Sequence, residues 1–115
     1  MANYNVKILQ AATDDLEVIF LFIAANSKTA ALKWHDVLID KANSLTVFPK
    51  IGIRVSDKKM ASLEFRMLPI KNYILFYRVL EKEKEVIILR VLDAKRDYPR
   101  IYKDYLVQND SNNIE

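Results

Sequence analysis

Between residues 73 and 92 the chain carries two nearly unbroken apolar runs, YILFYRVL and EVIILRVL, separated by the charged stretch EKEKE. Runs of this length, rich in β-branched and aromatic residues, predict strands covered on both faces. The charges at 81–85 predict a hairpin tip between them. A further strand is expected over 63–68, and a first one over 4–9, where YNVKIL alternates loosely. In between, the pattern changes to a helical period. ATDDLEVIF offers Thr13 or Asp14 as an N-cap, with Asp15 and Glu17 in the first turn. This helix is expected to run to about Ala25 and to stop at Asn26-Ser27. A second helix, from about Thr29, places Ala31, Trp34, Val37, Leu38 and Leu45 on one side and Lys33, Asp36, Asp40 and Lys41 on the other. FPKIG stops it, with Pro49 and the only glycine, Gly52.

The stretch IRVSDKKMAS, 53–62, reads as a loop or irregular edge, and Pro99 suits the first turn of a short helix over 99–106. The polar residues 107–115 read as a frayed tail. The order β-α-α-β-β-β predicts one α+β domain over 1–106. An N-terminal strand and an antiparallel helical hairpin pack on a mainly antiparallel sheet, which three C-terminal strands complete.

Two features depart from a plain core pattern. On the first helix, Leu16, Ile19, Phe20 and Ile23 form the expected stripe, yet Val18, Leu21 and Phe22 point elsewhere. A helix that is apolar nearly all round must be covered on more than one side, which makes Leu21 and Phe22 candidates for a face covered by a partner. The second feature is Arg78 and Arg90, which interrupt the two apolar strands. Both occupy even positions, so a hairpin of even register would place them on one face. A buried guanidinium without a partner is costly. That face is therefore expected to meet solvent, a carboxylate such as Glu64, or an acidic ligand.

Composition narrows the chemistry. There are no cysteines among the 115 residues, hence no disulfide framework and no thiolate nucleophile or metal site. The one histidine, His35, sits beside Trp34 with no visible acid/base partner and is assigned to the surface or to helix packing. No metal-ligand set, glycine-rich phosphate loop or paired carboxylates stand out, so no cofactor is expected. VIFLFIAA is too short to span a bilayer and nothing reads as a signal peptide, so the expected location is the cytoplasm, with no membrane partner.

Charge is unevenly distributed. Residues 1–49 hold 4 Lys/Arg against 5 Asp/Glu, whereas residues 50–105 hold 14 against 8. Such asymmetry suits an acidic or phosphate-bearing partner. Lys71, Arg78, Arg90, Tyr98 and Arg100 are the candidates for binding a partner or nucleic acid, since arginine forks, lysine charges and tyrosine faces suit phosphates and bases.

Taken together, FRMLPIKNYILFYRVLEKEKEVIILRVLDAKRDYPRIY resembles the signature half of the RelE/ParE toxin superfamily of bacterial type II toxin–antitoxin systems. The helical half is similar to the longer hairpin of ParE-like members. It ends in an L-x-x-F-P-x-x-G pattern at Leu45, Phe48, Pro49 and Gly52, with the spacing shortened by one. The resemblance implies a toxin neutralised by a cognate antitoxin, in a heterodimer or heterotetramer. RelE-like members cleave mRNA on the ribosome, and ParE-like members inhibit DNA gyrase by binding. Carried over to this chain, the RelE-type site would comprise Arg66, Lys95, Arg96 and Tyr102. However, the position of that site's central arginine is Ile74 here, and Phe65 and Met67 stand where paired lysines would be. The ParE-like branch is therefore favoured, with a ribosome-dependent mRNA endonuclease as the alternative.

Overall fold

The computed structural model describes residues 3–95. Its elements are β1 (Asn5–Ile8), α1 (Gln10–Asn26), α2 (Lys28–Ser44), β2 (Ile53–Arg54), α3 (Lys58–Ser62), β3 (Phe65–Ile70), β4 (Tyr73–Leu80) and β5 (Glu85–Asp93). They form one five-stranded sheet in the order β1-β5-β4-β3-β2, in which β1 runs parallel to β5 and the other pairs are antiparallel. The expected α+β architecture is present. The helix expected over 99–106 and the tail at 107–115 lie outside the described residues.

Continuous apolar runs arise in β4 and β5 because both sheet faces are covered. On one face the helices bring Ala12, Ile19, Trp34 and Leu38 against Leu75, Tyr77, Val79, Val86, Ile88 and Val91. On the other, Val55 and Met60 join Phe65, Ile74, Phe76, Ile87, Leu89 and Leu92. Each such large apolar side chain contributes about 1.5–3 kcal/mol by leaving water, so the two clusters dominate the stability of the domain.

α1 begins earlier than its acidic residues suggested. Its N-cap is Leu9, which has no side-chain cap, so neither Thr13 nor Asp14 plays that role. The carbonyl of Leu9 accepts from Ala12 and Thr13 N–H, and the helix starts directly off β1. Asp15 is used elsewhere, as described below. Ser27 alone separates the helices; its hydroxyl accepts from Ala30 N–H and caps α2. In place of the irregular stretch expected over 53–62, a two-residue edge strand precedes a five-residue helix, capped by Asp57 through Met60 N–H.

Gly52 is required by close approach. Its N–H donates to the buried Tyr77 hydroxyl at 2.8 Å. A β-carbon there would lie 2.6 Å from Tyr77 Oη and 2.9 Å from the Met67 carbonyl. Leu45 is fully buried at the end of α2, so the loop after α2 is fastened at both ends.

Candidate functional site

The pairing places both strand arginines on the sheet face away from the helices: Arg78 lies opposite Phe65 and Ile87, and Arg90 opposite Phe76. β5 carries an extra residue opposite β4: Phe76 pairs with Arg90 and Tyr77 with Ile88, leaving Leu89 between. This bulge shifts the alternation of β5 by one residue, so even-numbered Arg90 shares the face of Arg78, as expected, although Val86 and Ile88 before it face the helices. Arg90 turns toward α1, where its Nε and Nη2 donate to Asp15 at 2.7 and 2.9 Å. The same carboxylate accepts from Val91 N–H at 3.0 Å. The Asp15 hydrogen bond raises the Arg90 pKa, keeping it charged. Arg78 has its guanidinium 5.1 Å from the Phe65 ring centre, with Nε donating to the Leu63 carbonyl at 3.1 Å.

Arg66 is 8% exposed and is engaged within the fold. It donates to the Gly52 and Lys50 carbonyls at 2.9 and 3.3 Å and to Glu64 at 3.1 Å. Glu64 thus serves Arg66 and Arg54, with Arg54 Nη2 at 3.4 Å. Lys71 and Lys95 are exposed at the far end of the sheet, where Ala94 N–H donates to the Asn72 carbonyl. Arg96, Tyr98, Arg100 and Tyr102 lie outside the described residues. Among the described ones, the candidate cations are dispersed over two faces and one end. No metal-holding group of His, Cys, Asp or Glu occurs among them. His35 is exposed and meets Phe20 edge to face at 6.3 Å. No helix among the described residues is long and apolar enough to cross a membrane.

The apolar surface is more organised. Val18, Leu21 and Phe22 on α1 are 66, 61 and 69% exposed, a helical i, i+3, i+4 stripe facing away from the sheet. At the other end of the fold, Phe48, Ile51 and Ile53 are also exposed. There a cleft of about 540 Å³ is lined by Tyr4, Phe48, Pro49, Lys50, Ile51 and Glu81. Lys50 and Glu81 pair at 3.0 Å across it, and Tyr4 Oη donates to Glu81 at 2.8 Å. The hydrogen bond from Lys50 holds the Glu81 carboxyl below its usual range, and Glu81 holds Lys50 up. This second patch was not anticipated from the sequence. Its residues fall in a loop and an edge strand with no periodicity, so only the unusual density of apolar residues around Pro49 signalled it.

Comparison with known proteins follows the same lines. No curated protein sequence matches the chain. Among solved structures, the fold is similar to a chain of the chromosomal ParDE toxin–antitoxin system from Pseudomonas aeruginosa. Identity there is 22% over 80% of this chain and 97% of that one, with a TM-score of 0.63. The RelBE2 toxin–antitoxin complex from Mycobacterium tuberculosis is similar at 20% identity, covering 80% and 99% of the two chains, with a TM-score of 0.56. The archaeal RelE–RelB complex from Pyrococcus horikoshii matches at 16% identity, 83% and 99% coverage and a TM-score of 0.54. At these identities the likeness concerns the fold. Residues 6–98 match the family described as the ParE toxin of the type II toxin–antitoxin system parDE, which is most of the chain. The chain therefore belongs to the ParE toxin family of type II toxin–antitoxin systems, within the RelE/ParE superfamily.

Proposed function

We propose that this toxin acts in the cytoplasm by binding an essential target protein, DNA gyrase, and is held inactive by a cognate antitoxin. One observation carries the preference for binding over RNA cleavage. Ile74, at the place of the superfamily nuclease's central arginine, is 8% exposed and packs in an apolar cluster with Phe65, Phe76 and Leu89. A phosphate clamp needs preorganised cations where negative charge develops, and an aliphatic cluster supplies none. Arg66, the possible substitute, is occupied by two carbonyls and Glu64. The exposed stripe on α1 supports an antitoxin partner, since surface of this kind marks protein–protein contacts. The solved relatives include toxin–antitoxin complexes, which is consistent with that partner.

The test is a pair of assays on the purified protein. It is expected to inhibit gyrase-catalysed supercoiling and to leave ribosome-bound mRNA intact. Cuts within A-site codons, lost with Arg96→Ala, would establish the ribosome-dependent endonuclease using Arg66, Lys95, Arg96 and Tyr102 instead. A protein inactive in both assays would show that toxicity has been lost.

A further inference from the structure

The strand arginines Arg66, Arg78 and Arg90 already have carbonyl or carboxylate partners. At a different site a buried donor is left without an acceptor. Where β3 turns into β4, the exposed Lys71-Asn72 turn faces the link between the helices. A cleft of about 320 Å³ lies there, with Phe22, Asn26, Trp34, Lys71, Asn72 and Tyr73 in its walls.

Trp34 is 3% exposed and held edge-on against Tyr73, ring centres 5.4 Å apart. Its indole Nε1 is buried with no hydrogen-bond partner. An indole N–H can only donate, and buried donors are rarely left unmatched. Lys71 carries no salt bridge among the described residues. It is also held at φ 58°, in the left-handed region that non-glycine residues seldom occupy, which fixes its backbone at the mouth of the cleft. Trp34, with its unmatched donor, and Lys71 thus line one cleft together with the rings of Phe22 and Tyr73. The missing complement is an acceptor that is negatively charged.

The approach to the cleft identifies the kind of molecule. Phe22 forms its rim and continues into Leu21 and Val18, so anything entering from that side crosses apolar surface. A nucleic-acid backbone, charged at every step, would be desolvated there without compensation. A polypeptide with apolar side chains at helical spacing and an acidic residue near one end fits both parts.

We propose that the cleft receives an acidic side chain of the partner polypeptide that covers α1. Its carboxylate accepts from Trp34 Nε1 and pairs with Lys71, while neighbouring apolar side chains lie on Val18, Leu21 and Phe22. The assignment rests on the reading that such a partner exists, and it fixes where the partner's anchoring charge goes. Entry requires the mouth to open slightly, because Nε1 itself is covered; Phe22 and Lys71 are the exposed, rotatable side chains there.

The chain has a single tryptophan, so its indole N–H gives one resonance in a ¹⁵N-labelled sample. The probe is the protein encoded by the neighbouring reading frame, added to the full chain. On complex formation the indole resonance should move downfield. Lys71→Glu should weaken the complex about tenfold or more without changing the melting temperature. Trp34→Phe should weaken it as well, and because that residue is in the core, Lys71→Glu carries the decision. If the complex forms while the resonance stays in place and Lys71→Glu binds like the wild type, the cleft is not the anchor. If no complex forms with the wild type, the partnership itself is refuted, and the assignment falls with it. A single-stranded oligonucleotide that moves the resonance where the protein does not would overturn the proposal in favour of a nucleic-acid site.

Discussion

Asp15 and Arg90 lie 75 residues apart, yet they form a bidentate pair at 2.7 and 2.9 Å that joins α1 to the bulge in β5. The third bond, from Val91 N–H to the same carboxylate, occupies a backbone donor beside the bulge. A planar guanidinium fork meeting a carboxylate this way gives geometric specificity as well as energy. The pair therefore orients the first helix on the sheet.

Removing that carboxylate should be costly. Asp15→Ala leaves a part-buried guanidinium and a backbone N–H without their acceptor, so we expect a loss of about 2–3 kcal/mol. Asp15→Asn, which keeps one acceptor oxygen, should lose about 1–2 kcal/mol. Urea unfolding measures both. A change under 0.5 kcal/mol for Asp15→Ala would show that the pair is ornamental. Because Asp15 raises the Arg90 pKa, the arginine's share of stability is complete below the normal arginine range and is lost only as pH rises through the raised value. No pH dependence from this arginine is expected between pH 5 and about 9.

Tyr77 and Gly52 provide a second prediction. Tyr77→Phe removes the acceptor of the Gly52 N–H in a buried place and should cost about 1–3 kcal/mol. Gly52→Ala should cost at least as much, because the new methyl meets backbone as well as the tyrosine ring. Burial raises the Tyr77 pKa above its normal value of 10.0. The folded state thus holds its proton more tightly, so stability is unaffected below pH 10 and falls as pH rises beyond it. Alkaline titration of the wild type against Tyr77→Phe isolates this contribution. Equal slopes in the two proteins would contradict it.

The exposed stripe should separate binding from folding. Leu21→Ser and Phe22→Ser remove side chains already in water, so each should change stability by no more than about 0.5 kcal/mol. If the stripe is the centre of the partner interface, the same changes should cost about 2 kcal/mol or more in the complex, some thirtyfold in affinity. Calorimetry of the variants with the antitoxin distinguishes an interface from an idle patch.

Tyr102→Phe distinguishes the two toxic mechanisms within one experiment. For a gyrase-binding toxin this change should leave growth inhibition within about twofold of the wild type, since only a hydroxyl is removed. For a nuclease that uses the tyrosine, the loss should be on the order of a hundredfold. Plating efficiency after induction reads the difference.

Much of the fold was legible because its signals were local. The bounds of β4, the charged turn after it and the stop at Pro49-Gly52 each follow from a short stretch of composition. The exposure of Leu21 and Phe22 followed from helical spacing alone. What escaped depends on contacts distant in sequence. Asp15 looked like first-turn helix chemistry because nothing nearby discloses that Arg90 will reach it. Parity arguments placed Arg78 and Arg90 together, and they do share a face, but only because one extra residue in β5, which no local pattern announces, shifts its phase. The Trp34 cleft needs the helix link and the β3–β4 turn side by side, which no linear pattern encodes.

Leu89 acts as a phase shifter. Before it, even-numbered residues of β5 belong to the helix-side cluster, as Val86 and Ile88 do; after it, odd-numbered Val91 does, and Leu92 has crossed to the other layer. The two halves of one strand therefore obey opposite parity rules. A chain shortened by one residue at this point could not keep both halves in place: either Val91 and Leu92 exchange layers or the pairing with β4 slides. Length in this strand is thereby quantised: a changed side chain disturbs one contact, whereas a changed count disturbs the register of half the strand.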